Sequence, residues 1–292
     1  MKTILVTGGR GQLGSELRVL SEKEKDVKFI FTNSEEMDIT SLESINNFFQ
    51  KSQVLKQSEI IAIINTAAYT QVDQAEIEQE LAYKVNAVGA KNLAIKAKEL
   101  GSKFVHISTD YVFDGNKSYP YREADLKNPI SVYGKTKAEG EDLVLEVYPE
   151  SIIIRSSWVY SSYGKNFLKT IMKLAKEKEK LTVVYDQIGT PTSAKNLAWI
   201  TYKAALSDQS GIFHYSNEGV ASWFDFAHAI VDMFGFNCEV IPIPTENYPT
   251  LAKRPFYSVL DKSKFYKAFN IKNPHWRDSL KEIVMEIIKS LK

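Results

Sequence analysis

Short apolar runs alternate with amphipathic segments through the first half of the chain. Between these runs, Gln12–Leu20 and the stretch from about 78 to 99 place their apolar residues on one helical face. Alternation of strands and helices requires right-handed crossovers and predicts a doubly wound α/β sheet. Five runs that are apolar at consecutive positions are typical of buried parallel strands: Ile4–Thr7, Val27–Thr32, Ile60–Asn65, Phe104–Ser108 and Ile152–Arg155.

The second half of the chain is less regular. Its periodicity predicts strands at Leu181–Tyr185, Ile212–Tyr215 and Cys238–Ile243, and helices at Phe167–Ala175, Ala194–Ala205, Trp223–Phe234 and Trp276–Leu291. We expect a Rossmann-type dinucleotide-binding domain over residues 1–160, completed by about 186–222 and 251–266. A smaller C-terminal α/β substrate domain would comprise 161–185, 223–250 and 267–292.

Composition narrows the classes of partner and of site. The chain has 292 residues, with 37 Lys and Arg against 36 Asp and Glu, so no net field favours nucleic acid or an anionic membrane. The single cysteine, Cys238, excludes an internal disulfide and suits a reducing compartment. We find no apolar stretch long enough for a membrane span, and we predict a cytoplasmic protein. The four histidines lack metal-ligand spacing, so no metal is expected.

The first predicted strand runs directly into a glycine-rich turn, which then opens a helix. In Gly8-x-x-Gly11-x-x-Gly14, the first glycine permits a tight turn and the second admits a close approach of pyrophosphate. The third lets the helix pack against the strand. The free N–H groups and the positive dipole end of the helix then face the phosphates. This arrangement predicts a nicotinamide dinucleotide site.

The end of the second strand indicates which dinucleotide binds. An acidic residue there would bind the ribose 2′-hydroxyl and repel a 2′-phosphate. The strand instead ends in Thr32, Asn33 and Ser34, and Arg10 lies in the glycine turn. These donors favour NADP(H). NAD(H) stays an alternative, because Glu35 and Glu36 follow closely.

A phenol and an ammonium lie four residues apart in Tyr133 and Lys137, and therefore on one helical face. Carbonyl reduction needs a proton donor beside the oxygen, and a nearby cation makes a tyrosine a better acid. Thr109, at the end of the preceding strand, brings a hydroxyl to the carboxyl edge of the sheet, where ligands bind. We predict that these three residues are catalytic.

Taken together, these motifs resemble the extended short-chain dehydrogenase/reductase family and, within it, the dTDP-4-dehydrorhamnose reductases. The resemblance spans nearly the whole chain in family order. It rests on these runs: Gly11–Gly14, Asp38–Thr40, Asn65–Thr70, Val72–Glu76, Ser108–Gly115, Tyr133–Lys137, Arg155–Tyr160, Asp186–Thr192 and Arg254–Pro255.

The resemblance implies a catalytic triad of Thr109, Tyr133 and Lys137. With the residues predicted above, it implies a cofactor site made of Gly8, Arg10, Gly11, Gln12, Leu13, Gly14, Asn33, Ser34, Asp38, Ile39, Ala67, Ala68, Tyr69, Asn86, Tyr133 and Lys137. Within that set, Asp38 and Ile39 would line the adenine site. The nucleotide-sugar would meet Val72, Thr109, Asp110, Tyr111, Trp158 and Arg254. Arg254 suits the diphosphate, because a guanidinium binds phosphate with two parallel bonds.

The implied activity is NADPH-dependent reduction of the 4-keto group of dTDP-4-dehydro-L-rhamnose. Related dehydratases carry an Asp-Glu pair after the catalytic Thr, whereas here Tyr111 follows Asp110, so dehydration is not expected. Three alternatives stay open. They are an epimerase, a reductase of another keto-sugar nucleotide, and a non-catalytic subunit similar to the regulatory subunit of methionine adenosyltransferase. A homodimer is the default assembly.

Overall fold

A computed structural model describes residues 2–290, so residues 1, 291 and 292, including Leu291 of the predicted last helix, lie outside the described residues. The strands of the described part are β1 Lys2–Thr7, β2 Lys28–Thr32, β3 Glu59–Asn65, β4 Lys103–Thr109, β5 Ile152–Ser156, β6 Val159–Tyr160, β7 Lys180–Val184, β8 Ile188–Gly189, β9 Thr192–Ser193, β10 Gly211–His214, β11 Ala221–Ser222 and β12 Glu239–Ile243.

The α-helices over the same range include four short ones of seven residues or fewer. In chain order they are α1 Gln12–Ser21, α2 Leu42–Lys51, α3 Gln53–Lys56, α4 Val72–Ala75, α5 Gln79–Tyr83, α6 Gly89–Glu99, α7 Val132–Val147, α8 Phe167–Glu177, α9 Ala194–Ala205, α10 Trp223–Phe234, α11 Ser263–Phe269 and α12 Trp276–Ser290. A π-helical turn, Lys84–Val88, joins α5 to α6, and 3₁₀ turns lie at Asp110–Val112 and Thr245–Asn247.

Six parallel strands form the central sheet in the order β2-β1-β3-β4-β5-β10. The five strands predicted in the first half are confirmed, and the sixth is the strand predicted at Ile212–Tyr215. The chain leaves β1 toward β2 on one side and returns to β3 on the other. This reversal opens a crevice at the carboxyl ends of β1 and β3, where ligands bind in doubly wound sheets.

Both faces of the central sheet are covered by helices. Alternate residues of β1 supply the two cores: Ile4 and Val6 pack with α1 and α9, whereas Leu5 packs with α6. These side chains have no exposed surface. Burial on both faces explains why the strands are apolar at consecutive positions. The predicted α/β fold class is confirmed.

A separate apolar cluster lies in the C-terminal half. Helices α8, α10 and α12 pack there with β7, which pairs in parallel with β12. Trp276, at the start of α12, is buried in the cluster. The segments involved largely coincide with those predicted for the substrate domain, and the domain boundaries themselves stay a prediction. Among residues 2–290, no helix is long and apolar enough to cross a membrane.

The long helix predicted over about 78–99 is interrupted. A π-helical turn inserts one extra residue in the middle, and Asn86 lies in that turn. The side chain of Asn86 is buried and bonds to both Tyr69 and Thr136. Apolar periodicity alone does not show such an insertion, because it alters the register by only one position.

A buried ion pair joins α7 to β5 below the carboxyl edge of the sheet. Arg155 donates from Nε and Nη2 to the two carboxylate oxygens of Glu141, at 2.8 and 2.7 Å. Ser108 on β4 donates to the same carboxylate at 2.5 Å. Burial opposes ionisation of Glu141, but Arg155, Lys127 and Ser108 outweigh it and hold the pKa of the carboxyl below its ordinary value.

We expect Glu141→Gln to lower the free energy of unfolding by about 3 kcal/mol at neutral pH, because it leaves the Arg155 charge buried and unpaired. Ionised Glu141 stabilises the fold at pH values above its pKa in the unfolded chain. The loss of stability in Glu141→Gln should therefore shrink as pH falls through the pKa of Glu141 in the folded protein. Urea unfolding at several pH values measures this. Glu80→Gln, which breaks the exposed pair with Lys84, should cause no measurable change. Equal effects of the two substitutions would contradict this account.

Candidate active site

The glycine turn lies at the crevice between β1 and β3. Gly8 has φ +69°, and a Cβ there would approach the Ala67 nitrogen to 2.7 Å. Gly14 packs against the backbone of Gly8 and Gly9, whereas a Cβ on Gly11 would meet only the Gly8 oxygen, at 3.2 Å. No side chain caps α1, which begins at Gln12. The open side of Gly11 and the uncapped helix suit an anionic ligand.

Two of the three residues predicted for the 2′-phosphate, Arg10 and Asn33, already have acidic partners. Arg10 pairs with Glu35 at 2.8 Å, with both side chains more than two-thirds exposed. Asn33 donates to the Glu36 carboxylate and accepts the backbone N–H groups of Glu35 and Glu36, while Ser34 is exposed. An exposed ion pair contributes little to stability, so a phosphate can displace Glu35 from Arg10.

The residues predicted for the adenine end lie after β2. Asp38 is exposed and accepts two bonds from Thr40, while Ile39 is buried beside Gly89 of α6. The backbone oxygen of Ile39 accepts a bond from Asn92 at 3.0 Å. This loop is therefore anchored to α6.

The cleft residues Ala67, Ala68 and Tyr69 follow β3 and are half-buried. Asn86 holds the Tyr69 backbone from both sides, since its oxygen accepts the Tyr69 N–H at 2.8 Å and its amide donates to the Tyr69 oxygen. The same amide reaches Thr136 at 3.0 Å. These contacts of Asn86 hold the backbone of the cleft in place.

Thr109 and Tyr133 meet at the carboxyl edge of the sheet. Burial raises the pKa of Tyr133 to about 12, although a hydrogen bond with Thr109 acts in the opposite direction. The Thr109 hydroxyl donates to Asp110 Oδ1 at 3.0 Å, and Asp110 Oδ2 is buried with no hydrogen-bond partner. Burial raises the pKa of Asp110 to about 7. A carboxyl and two hydroxyls thus form one connected group.

Lys137 is buried one helical turn after Tyr133, and its ammonium points into the protein. It donates to the Ile107 backbone oxygen at 2.7 Å and lies 3.3 Å from Nε2 of His106. Burial lowers the pKa of Lys137 to about 8, partly offset by Glu141. His106 is one of the four histidines for which the sequence predicted no metal-binding role. Its contact with Lys137 is a feature that the sequence pattern did not indicate, since 31 positions separate the two.

Two of the predicted substrate residues, Tyr111 and Arg254, lie beside the group formed by Thr109, Asp110 and Tyr133. Tyr111 packs edge-on against Tyr133, with ring centroids 5.7 Å apart. Arg254 makes a bidentate pair with Asp73, at 2.6 and 3.1 Å, next to half-buried Val72 on α4. The hydrogen bond from Arg254 lowers the pKa of Asp73 below its ordinary value. The residue predicted for the diphosphate therefore has a carboxylate partner that the sequence pattern did not indicate.

Trp158 has a strained backbone, with φ +47°, between β5 and β6. Its ring stacks on Trp223 at 3.6 Å with an angle of 5° between the planes. Gly189 covers the same ring so closely that a Cβ would come within 2.6 Å of it. A non-glycine residue with this φ persists only where its surroundings hold it, and such residues concentrate at functional sites.

Within residues 2–290, no group of three or more His, Cys, Asp or Glu side chains could hold a metal ion.

Substituting Gly14 and Gly11 separates packing from ligand access. Gly14→Ala should lower the free energy of unfolding by about 1–3 kcal/mol, because its Cβ overlaps the backbone of Gly8 and Gly9. Gly11→Ala should leave thermal stability nearly unchanged, since its Cβ meets only one atom. Thermal melts of the two variants test this. Equal losses would show that the turn does not pack as described.

Comparisons with known proteins show the family to which the chain belongs. The model of the family described as "RmlD substrate binding domain" matches residues 1–288. The spore coat polysaccharide biosynthesis protein SpsK of Bacillus subtilis is 42% identical over 287 residues, covering 98% of each chain. The dTDP-4-dehydrorhamnose reductase of Aggregatibacter actinomycetemcomitans is 42% identical over 295 residues, covering 97% of this chain and 98% of that one.

A solved structure shows the same fold. The dTDP-4-dehydrorhamnose reductase of Bacillus anthracis, solved in complex with NADP, superposes with a TM-score of 0.91 at 38% identity. The match covers 98% of this chain and 100% of that one. The chain belongs to the RmlD substrate-binding domain family, in which it is similar along its whole length to dTDP-4-dehydrorhamnose reductases.

Proposed function

We propose that this chain reduces the 4-keto group of dTDP-4-dehydro-L-rhamnose with NADPH and forms dTDP-L-rhamnose. The observation that supports this proposal most strongly is that the glycine turn and the hydroxyl groups of Thr109 and Tyr133 lie at the same carboxyl edge of one sheet. A full-length relative at 42% identity bears the name of this reductase, and a similar structure contains NADP.

In the proposed reaction, Tyr133 donates its proton to the carbonyl oxygen and Thr109 orients that oxygen. When bound, the reduced nicotinamide supplies the hydride for the sugar C4. Lys137 turns from Ile107 toward the nicotinamide ribose and the phenol, where its charge stabilises the tyrosinate left after proton transfer. The phenol is a poor acid while Lys137 points inward, because burial, with a smaller contribution from the Asp110 charge, raises the pKa of Tyr133 to about 12.

The cofactor proposal follows the placement of the predicted residues. Gly8, Gly11 and Gly14, with the adjoining Gln12 and Leu13, would receive the pyrophosphate at the start of α1. Arg10, Asn33 and Ser34 would bind the 2′-phosphate, Asp38 and Ile39 would line the adenine, and Ala67, Ala68 and Tyr69 would line the cleft. Asn86 would keep this cleft in place through its bonds to Tyr69.

We propose that the nucleotide-sugar binds across the crevice from the cofactor residues. Tyr111 and Asp110 would face the sugar, with Val72 beside them, and Trp158 would form an aromatic wall. Arg254 would exchange Asp73 for the diphosphate, because phosphate offers the same pair of acceptor oxygens with more negative charge. A homodimer and a cytoplasmic location complete the proposal.

Tyr133→Phe should lower kcat by roughly 100- to 10,000-fold, since it removes the general acid and leaves the ring. The assay follows NADPH absorbance with dTDP-4-dehydro-L-rhamnose, and Tyr83→Phe on α5 serves as the matched control. Near-normal turnover by Tyr133→Phe would refute the assignment. Interconversion of sugars without NADPH oxidation would indicate an epimerase, and no turnover by the wild type would favour a different keto-sugar or a non-catalytic subunit.

Arg10 and Glu35 should set the choice between the two nicotinamide cofactors. We expect Arg10→Ala to raise KM for NADPH by about tenfold, equal to about 1.4 kcal/mol, and to leave KM for NADH nearly unchanged. Glu35→Gln should lower KM for NADPH, because the competing carboxylate is gone. Steady-state kinetics with both cofactors measure this, and parallel changes in the two KM values would contradict a 2′-phosphate contact.

A further inference from the structure

A row of buried polar side chains crosses the central sheet below the glycine turn. Thr7, Asn65 and His106 occupy matched positions on β1, β3 and β4, since Thr7 pairs with Asn65 and Asn65 pairs with His106. Each is at most 1% exposed. The row lies on the sheet face that otherwise carries Leu5, Ile63 and Phe104. Buried polar groups on an apolar face are costly unless their hydrogen bonds are complete.

The orientation of the Asn65 amide is fixed by two donors. Its Oδ1 accepts the Thr7 hydroxyl at 2.7 Å and the Ala67 backbone N–H at 3.1 Å. A backbone N–H can only donate, so Oδ1 cannot exchange places with Nδ2 without facing Ala67 with a second donor. Nδ2 of Asn65 therefore points to His106 Nδ1, at 3.0 Å, and donates to it.

This donation determines the tautomer of His106. A neutral imidazole has one acceptor nitrogen and one N–H, so an accepting Nδ1 leaves the hydrogen on Nε2. Burial, with the charge of Lys137, lowers the pKa of His106 well below its ordinary value, so the ring is neutral at pH 7. Nε2–H thus points toward the Lys137 ammonium, 3.3 Å away.

Two donors face each other at this contact. An ammonium has three N–H groups and no lone pair, so it cannot accept Nε2–H. Its inward acceptor is the Ile107 oxygen at 2.7 Å. The carboxylate of Glu141, on the same helix, also acts on the Lys137 charge, but it is itself bound to Arg155 and Ser108. The inward position of the charged Lys137 is therefore poorly satisfied.

We propose that His106, held in the Nε2–H tautomer by Asn65, is a positioning residue that keeps Lys137 free to turn outward to its ligands. The tautomer is a property of the free protein, while the consequence for Lys137 rests on the proposed reductase function. A ribose hydroxyl and a tyrosinate offer acceptors to the ammonium, whereas the inward position opposes it with a donor. The row thereby links the nucleotide-binding end of β1 to the proposed catalytic lysine.

Asn65→Asp should reverse the direction of the hydrogen bond between residue 65 and His106, with almost no change in the shape of the side chain. A carboxylate accepts hydrogen bonds from Thr7, from Ala67 and also from His106. The ring hydrogen of His106 therefore moves to Nδ1, and its Nε2 becomes an acceptor for the Lys137 ammonium. The inward position then gains a charge-assisted bond, which should raise the Kd for NADPH by about tenfold or more. It also raises the Lys137 pKa, so the loss of kcat/KM at high pH should move to higher pH. Thr7→Val is the matched control, because Ala67 still fixes the amide.

The tautomer is read from ¹⁵N NMR of labelled histidine at pH 6–9. We expect the Nε2–H form for the wild type and Thr7→Val, and the Nδ1–H form for Asn65→Asp. An Nδ1–H form or an imidazolium in the wild type at pH 7 would overturn the proposal without any variant. If Asn65→Asp does not fold, His106→Phe removes the opposing N–H, and the high-pH limb of kcat/KM should again move upward.

Turnover of dTDP-4-dehydro-L-rhamnose by the wild type separates the two possible failures. Suppose that the wild type turns over this substrate, and that the high-pH limb of kcat/KM and the Kd for NADPH are the same in Asn65→Asp as in Thr7→Val. The positioning role of His106 is then wrong. If the wild type shows no turnover, the proposed function is wrong. The tautomer and the NADPH Kd then still decide whether the row controls Lys137.

Discussion

The reversal of the chain between β1 and β3 is the constraint on which the rest of the structure depends. Parallel pairing aligns Thr7 with Asn65, so the two strands end at the same level and the following loops diverge from one point. Gly8 then turns with positive φ against Ala67. An ordinary side chain at Gly8 would be strained in its backbone and would also overlap Thr66 and Ala67, which directly follow β3. The glycine turn therefore has its conformation because the sheet brings these two strand ends together.

The same constraint places the chemistry. Strand β4 lies beside β3 and carries His106 inside the sheet and Thr109 at its end. Helix α7 crosses that end with Tyr133 and Lys137 one turn apart. Glu141, a further turn along, is anchored to Arg155 on β5. A buried pair of this kind contributes little more stability than an apolar pair of the same size would, but it fixes the helix against the sheet close to Thr109 and Tyr133.

The local features of the site were predictable from the sequence. The glycine spacing, the five strands and the Tyr133–Lys137 spacing depend on residues close together in the chain, where periodicity carries the information. Tertiary pairing was not predictable in this way. Arg254 lies 181 positions from Asp73, and Arg10 lies 25 positions from Glu35. The inward direction of Lys137 and the positive φ of Trp158 likewise depend on packing among distant segments.

The π-helical turn at Asn86 shows why even a regular segment was only partly predictable. The helical stripe over 78–99 reads as one helix, yet the chain inserts a residue so that a buried amide can reach Tyr69 and Thr136. Satisfying a polar group outweighs helical regularity here. Similarly, His106 occupies a position where the alternation of β4 would suit an apolar side chain, and its amide partner lies on another strand.

If this chain reduces the 4-keto group, hydride reaches the sugar C4 in a site where the chain itself supplies the proton. The most direct measurement is turnover of dTDP-4-dehydro-L-rhamnose with NADPH carrying deuterium at nicotinamide C4, followed by NMR of the product. We expect dTDP-L-rhamnose with deuterium at C4 of the sugar and one NADPH oxidised for each product. Deuterium elsewhere, or product formed without oxidation of NADPH, would contradict it.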